Sequence, residues 1–128
     1  MEFLMTKKIA IDKIGNKFQP GEFDRKFLDL YKQALQGMIE VRRANIKLVK
    51  IEPYAELLPA VSEETLRYVM ENSPSLHVYF QDGKFIMSDD YHTYSVYYTL
   101  PQEVVPCIIL GEFDRNLVDN YSEPIALS

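Results

Sequence analysis

At 128 residues, 47% apolar and 26% charged with a net charge of −5, the chain can build one real core, and it is neither fibrous nor disordered in composition. One cysteine, Cys107, excludes an internal disulfide and a multi-cysteine zinc site. No apolar run approaches the roughly 20 residues of a membrane span, and the opening MEFLMTKKIA lacks the apolar length of a signal peptide, so a soluble, cytoplasmic domain spanning residues 1–128 is expected.

The first part, residues 1–45, reads as a strand and a basic amphipathic helix. Lys7 to Ile14 alternates, with Ile9, Ile11 and Ile14 apolar, and predicts a short strand; Gly15-Asn16 and Pro20-Gly21 then punctuate a loop. From Glu22 to Arg43 the apolar positions Phe23, Phe27, Tyr31, Ala34/Leu35 and Met38 recur at spacings of three and four, with Leu28, Ile39 and Val41 widening the stripe. The pattern predicts a long helix that bends or breaks at Gly37, where glycine costs about 1 kcal/mol against alanine. Arg42, Arg43, Lys47 and Lys50 gather beyond its end, where cations complement the helix dipole.

The next part, residues 46–112, reads as the core. Ile46 to Ile51 alternates and predicts a strand, followed by a loop framed by Pro53 and Pro59. Ser62 is placed to cap a helix that carries Leu66, Val69 and Met70 on its inner face and ends at Asn72-Ser73-Pro74. Leu76 to Gln81 alternates; Asp82-Gly83 is a type I′ hairpin signal; Lys84 to Ser88 alternates back. After Ser88 the period becomes helical through Tyr91, Tyr94 and Tyr97/Tyr98, with Ser88, Asp89 and Asp90 supplying the oxygens of a helix start, and Pro101 stops this segment. Val104 to Leu110 is a continuous apolar run, as in a strand covered on both faces, although Pro106 argues for an edge strand or a strand start. Residues 113–128 read as a C-terminal tail, loose from Asn120 onward. The expected class is α+β, a small mixed sheet with flanking helices preceded by the long N-terminal helix, with the strands near 46–51, 76–81, 84–88 and 104–110 in one layer.

Two further features stand out. Residues 1–50 hold 11 Lys and Arg against 6 Asp and Glu, whereas residues 51–128 hold 3 against 13, so a basic front adjoins an acidic remainder. And GEFDRKFLDLY at 21–31 returns as GEFDRNLVDNY at 111–121, identical at seven of eleven positions. The span between the copies is too long for a solenoid, and the pair reads as chance, as two similar helix openings or as a duplicated docking motif.

IKLVKIEPYAELLP, SEETLRYVMEN, LHVYFQDGKFIMSDDYHTY and VVPCIILGE, in that order, resemble the core of the ParB/sulfiredoxin-like superfamily. The resemblance covers residues 46–112. It implies a strand, a helix, a hairpin, a charged box at a helix start and a closing strand with a Val-Pro pair, with the box facing a ligand. ParB-type domains carry a GERR-like box there that holds nucleotide phosphates; sulfiredoxins carry Cys-His-Arg. This chain carries Ser88-Asp89-Asp90-Tyr91-His92-Thr93-Tyr94, with a histidine near the box and neither arginine nor cysteine.

The residues support two functional readings. In the first, a non-catalytic ParB-like binding module contacts nucleic acid or an acidic protein through Arg42, Arg43, Lys47 and Lys50; a homo-oligomer is a further candidate assembly. In the second, a small phosphotransfer- or nuclease-type enzyme uses Asp89, Asp90 and His92 to hold Mg²⁺, with which a nucleotide enters, and Tyr94 and its neighbours stack on bases. Against each stands a plainer role: acids dressing a helix N-terminus, a tyrosine stripe in the core, cations on a solvated face.

Overall fold

The structure is a computed structural model that describes residues 22–53, 61–87, 91–100 and 102–126. Helix α1 spans Glu22–Leu35, strand β1 Val41–Lys47, β2 Ile51–Pro53, helix α2 Glu63–Asn72, β3 Leu76–Gln81, β4 Lys84–Met87, helix α3 Tyr91–Thr99 and β5 Val104–Leu110. The five strands form one mixed sheet in the order β1-β5-β3-β4-β2. β1 pairs antiparallel with β5, β5 parallel with β3, β3 antiparallel with β4, and β4 parallel with β2. The fold is therefore α+β with a mixed sheet and flanking helices, as the patterning implied. The strand expected at Lys7–Ile14 lies outside the described residues.

Several boundaries differ from the expected ones, each for a local reason. α1 ends at Leu35, not at Arg43. Gly37 takes a left-handed φ of +73°, its amide donates to Ala34 O at 3.1 Å, and the Met38 amide donates to Gln33 O at 2.8 Å. This is a Schellman ending, which satisfies the last carbonyls and redirects the chain. Val41, Arg42 and Arg43 consequently open a strand. Phe27, Leu30, Tyr31 and Ala34 turn inward, whereas Leu28, Leu35 and Met38 are exposed. The single strand expected at 46–51 is two pieces, the end of β1 and the start of β2, separated by a 3₁₀ turn over Leu48–Lys50. Ile46, Leu48 and Ile51 remain buried on the core side, so the apolar alternation was real but the ladder was not continuous.

That turn constrains the sheet. β1 and β2 are its opposite edges, yet Lys47 and Ile51 are four residues apart, a reach of at most about 15 Å. Five flat strands would separate their edges by about 19 Å. The sheet must curl toward a half-barrel. α2 and α3 cover its inner face: Leu76, Val78, Phe85, Met87, Val105, Cys107 and Ile109 pack with Val69, Tyr91, Tyr94, Val96 and Tyr97. α1 covers part of the outer face, where Phe27 packs with Tyr79, Ile86, Leu110 and Val41. Lys26 binds Gln81 and sits 4.7 Å over the Tyr79 ring, and Tyr31 meets His77. Among the described residues no helix is long and apolar enough to cross a membrane.

The hairpin and the second helix form as their local chemistry dictates. Asp82 and Gly83 take φ of +52° and +81°, the pair of positive values that a type I′ turn requires. Ser62 caps α2, its hydroxyl oxygen accepting from the Thr65 amide at 3.1 Å, and Ser73 closes the helix in the left-handed region. Ser62→Ala is expected to lower unfolding stability by about 0.5–2 kcal/mol, read as a shifted denaturation midpoint at unchanged slope. An unshifted midpoint would mean that tertiary packing alone holds α2.

Two expectations about the C-terminal part are corrected. Pro106 lies in β5, an interior strand, not an edge. It is tolerated because β3 begins pairing only at Cys107, opposite Leu76, so Pro106 is near the strand start and has β1 alone beside it. The tail is not loose up to residue 126. It runs along the outer edge of β1, where Tyr121 bridges Ala44, the Ser122 amide donates to Arg43 O at 2.8 Å, and the Ile125 amide donates to Val41 O at 2.7 Å. The two GEFDR copies also part company: the first opens α1, and the second follows Gly111 into a 3₁₀ turn over Arg115–Leu117, with Asp114 accepting from the Asn116 amide at 2.9 Å. Only the second lies against the β1 edge, so they are not equivalent openings.

Candidate functional site

The β1 ladder decides where the cations go. Alternate strand residues share a face, so Arg43, Asn45 and Lys47 project together, opposite Ile108, Pro106 and Val104 of β5. Arg43, Asn45 and Lys47 are exposed, while their neighbours Ala44 and Ile46 are buried. The 3₁₀ turn adds Lys50 just beyond. From Val41 to Lys50 there are four cations and no acid.

Beside this row the tail forms a second wall, and two adjoining cavities lie between. One, of about 350 Å³, is lined by Arg43, Ala44, Asn45, Ser75, Pro106, Cys107, Asn120, Tyr121 and Ser122. The other, of about 260 Å³ and more enclosed, is lined by Asn45, Lys47, Lys50, Val104, Leu117, Asp119 and Asn120. Asn45 and Asn120 line both. The result is a groove with three cations, two amides, one carboxylate and an aromatic ring along it. Lys50 Nζ donates to Leu117 O at 3.2 Å, which fixes the ammonium at the enclosed end and leaves further N–H donors.

Of the four cations expected to act together, three line the two adjoining cavities. Arg42 points to the other side of β1. Its guanidinium donates to Ser122 O at 2.8 Å, pairs with Glu40 at 3.4 Å and lies 5.5 Å from the centre of the Tyr121 ring. Arg115 approaches the same ring at 5.3 Å and Phe113 meets it edge-on at 5.5 Å. Arg42 therefore anchors the tail. None of the four caps a helix C-terminus, since α1 ends before them.

Of the other candidate site, His92 and Tyr94 lie among the described residues. Asp89 and Asp90 lie outside the described residues. His92 is exposed on α3. Tyr94 is buried and stacks on Tyr98, ring centres 6.3 Å apart, and burial pushes its phenol pKa up, with Tyr98 and Glu52 adding to the shift. Tyr91 and Tyr97 are also buried, and Tyr97 donates to Pro74 O at 2.8 Å. Tyr91, Tyr94 and Tyr97 are therefore core, whereas Tyr98 is exposed. Among the described residues no group of three or more His, Cys, Asp or Glu is placed to hold a metal ion. Cys107 is buried with its thiol pKa pushed up to about 12, chiefly by burial, so it is a small apolar side chain and not a nucleophile.

Sequence reasoning missed Asn45, Asp119, Asn120 and Tyr121. Asn45 had a signal, since strand alternation through 41–47 places it between Arg43 and Lys47. The tail residues had none, because their partners are some 80 positions away.

No protein-family model matches the chain, and no curated protein matches it in sequence. Its fold is similar to the crystal structure of sulfiredoxin from Arabidopsis thaliana, with a TM-score of 0.46 and 16% identity over 59% of this chain and 91% of that one. The likeness is one of fold.

Proposed function

We propose that this chain is a non-catalytic, ParB-like binding module that holds single-stranded nucleic acid in the groove between β1 and the tail. The observation that carries the reading is the row Arg43, Lys47 and Lys50, which lines one groove in an otherwise acidic protein. Cations of this kind supply the sequence-independent term of nucleic-acid affinity by neutralising phosphates and releasing counterions. Four cations without an acid from Val41 to Lys50, in a chain of net charge −5, also steer an anionic ligand toward this strip.

Two features favour a single strand over a duplex or an acidic peptide. Together the cavities offer room of the order of one small ligand, within the roughly 300–1,000 Å³ of ordinary binding pockets, which admits one or two nucleotides and excludes a double helix. Tyr121 also borders the wider cavity and is partly exposed; its ring, held by Arg42, Arg115 and Phe113, offers its remaining surface to a base. The groove offers hydrogen-bond donors and charge, which is what binding without catalysis needs.

The test is fluorescence anisotropy with short single-stranded oligonucleotides across a salt series. For three phosphate contacts, log K is expected to fall against log salt with a slope of about −2. Changing Arg43, Lys47 and Lys50 together to Gln should flatten that slope and remove most of the affinity, while Arg25→Gln on α1, which lines neither cavity, leaves it unchanged. Affinity independent of salt, or unaltered in the triple variant, would end the proposal.

A further inference from the structure

The groove is asymmetric. Its Arg43 end is open, whereas its Lys50 end is more enclosed, walled by Val104 on β5 and Leu117 at the 3₁₀ turn. The number of cations differs in the same sense. The open part has one cation, Arg43. The more enclosed part has two, Lys47 and Lys50, three residues apart across the turn, beside the Asp119 carboxylate, so each part carries a net charge of +1; the Asn45 and Asn120 amides line both. A strand entering from the open side meets two ammonium groups where the groove narrows.

An internal phosphodiester carries one negative charge and needs a neighbour on both sides. A terminal phosphomonoester carries about −1.5 to −2 at neutral pH, has three acceptor oxygens, and has a neighbour on one side only. Two ammonium groups and two amides at a closed wall match the second better than the first. We infer that the enclosed end of the groove, built by Lys47, Lys50, Asn45 and Asn120, is a receptor for the terminal phosphate of a nucleic-acid strand. Asp119 borders the same space. Its carboxylate repels the phosphate and accepts from sugar hydroxyls or base amines, so it acts on orientation and weakens rather than supplies affinity. Lys50 is held in place by the Leu117 carbonyl, which presents its ammonium at the wall before the ligand arrives and reduces the ordering needed on binding.

This inference rests on the single-strand reading above, and the experiment separates the two. One oligonucleotide is prepared with a 5′-phosphate, with a 3′-phosphate and with hydroxyls at both ends, and each is titrated by anisotropy. Inorganic phosphate is the competitor. One phosphorylated form should bind about tenfold more tightly than the hydroxyl-ended strand. Lys47→Gln with Lys50→Gln should erase the difference while the hydroxyl-ended strand keeps measurable binding through Arg43; Asp119→Asn should widen it. If all three strands bind equally, the end receptor is wrong and the binding module stands. If no strand binds, both readings fall. If inorganic phosphate alone occupies the Lys47/Lys50 end as tightly as the phosphorylated strand, the site is one for a small anion and the strand-end inference is overturned.

Discussion

Phe85→Ala is expected to destabilise the protein by about 3–5 kcal/mol, enough to unfold many domains of this size. Phe85 is fully buried in β4 and lies where three parts of the chain meet. It stands opposite Phe80 in β3 and Ile51 in β2, with ring centres 5.2 Å from Phe80 and 6.4 Å from Phe113 in the segment after β5. Truncation removes the transfer energy of the ring and leaves a void whose lining belongs to paired strands, which cannot collapse inward. Val49→Ala, on the exposed 3₁₀ turn with 90% of its surface open, makes the control and should lie within about 0.5 kcal/mol of the unmodified protein. Urea denaturation followed by far-ultraviolet dichroism measures both. A Phe85 cost below 1 kcal/mol would mean that the three parts do not share one core.

Stability is also expected to fall steeply in alkali, and Cys107 is a main cause. Burial raises its thiol from the ordinary 9.0 to about 12 in the folded protein. The native state thus holds a proton that the unfolded chain releases at lower pH. The contribution is whole below about pH 9 and is lost as the pH climbs from there through about 12, with a slope near 1.4 kcal/mol per pH unit inside that window. Tyr94 adds a loss of the same sign above its ordinary 10.0. Denaturation midpoints taken from pH 8 to pH 11 should therefore decline less steeply for Cys107→Ala than for the unmodified protein, whatever the offset between them at pH 8. Parallel lines would show that the thiol is already reached by water in the folded state. By the same reasoning iodoacetamide should label Cys107 only as fast as the protein opens.

Elements with a local cause were legible in the sequence. The Ser62 cap, the Asp82-Gly83 turn and the change of period at Tyr91 each act within a few residues, and α2, the hairpin and α3 stand where those signals put them. The region from Gln36 to Pro53 was harder. Val41, Ala44 and Ile46 are buried on a strand whose two faces are both partly covered, so their spacing mimics a helical stripe until the Gly37 ending is known. The candidate site was half legible. Its cations were conspicuous as a run without acids, and their sorting into a row of three and an anchor, Arg42, follows from strand alternation once β1 is placed. The other wall comes from the tail, whose contacts with Arg42 and Arg43 join residues 79 and 80 positions apart, and no pattern within the tail itself announces them.

The strand order has a consequence for how the molecule is made. β5, the last of the five described strands in sequence, lies between β1 and β3 and pairs with both. Of the ladders, only the β3–β4 hairpin joins residues close in the chain, and a lone hairpin is marginal in water. Until residues 104–110 leave the ribosome, β1 has no β5 beside it and β3 has one open side. Closing such long loops before any contact rewards them slows folding, and open strand edges meanwhile pair with whatever strand is near. Nascent chains stalled short of β5 should be the form of this protein that most needs a chaperone.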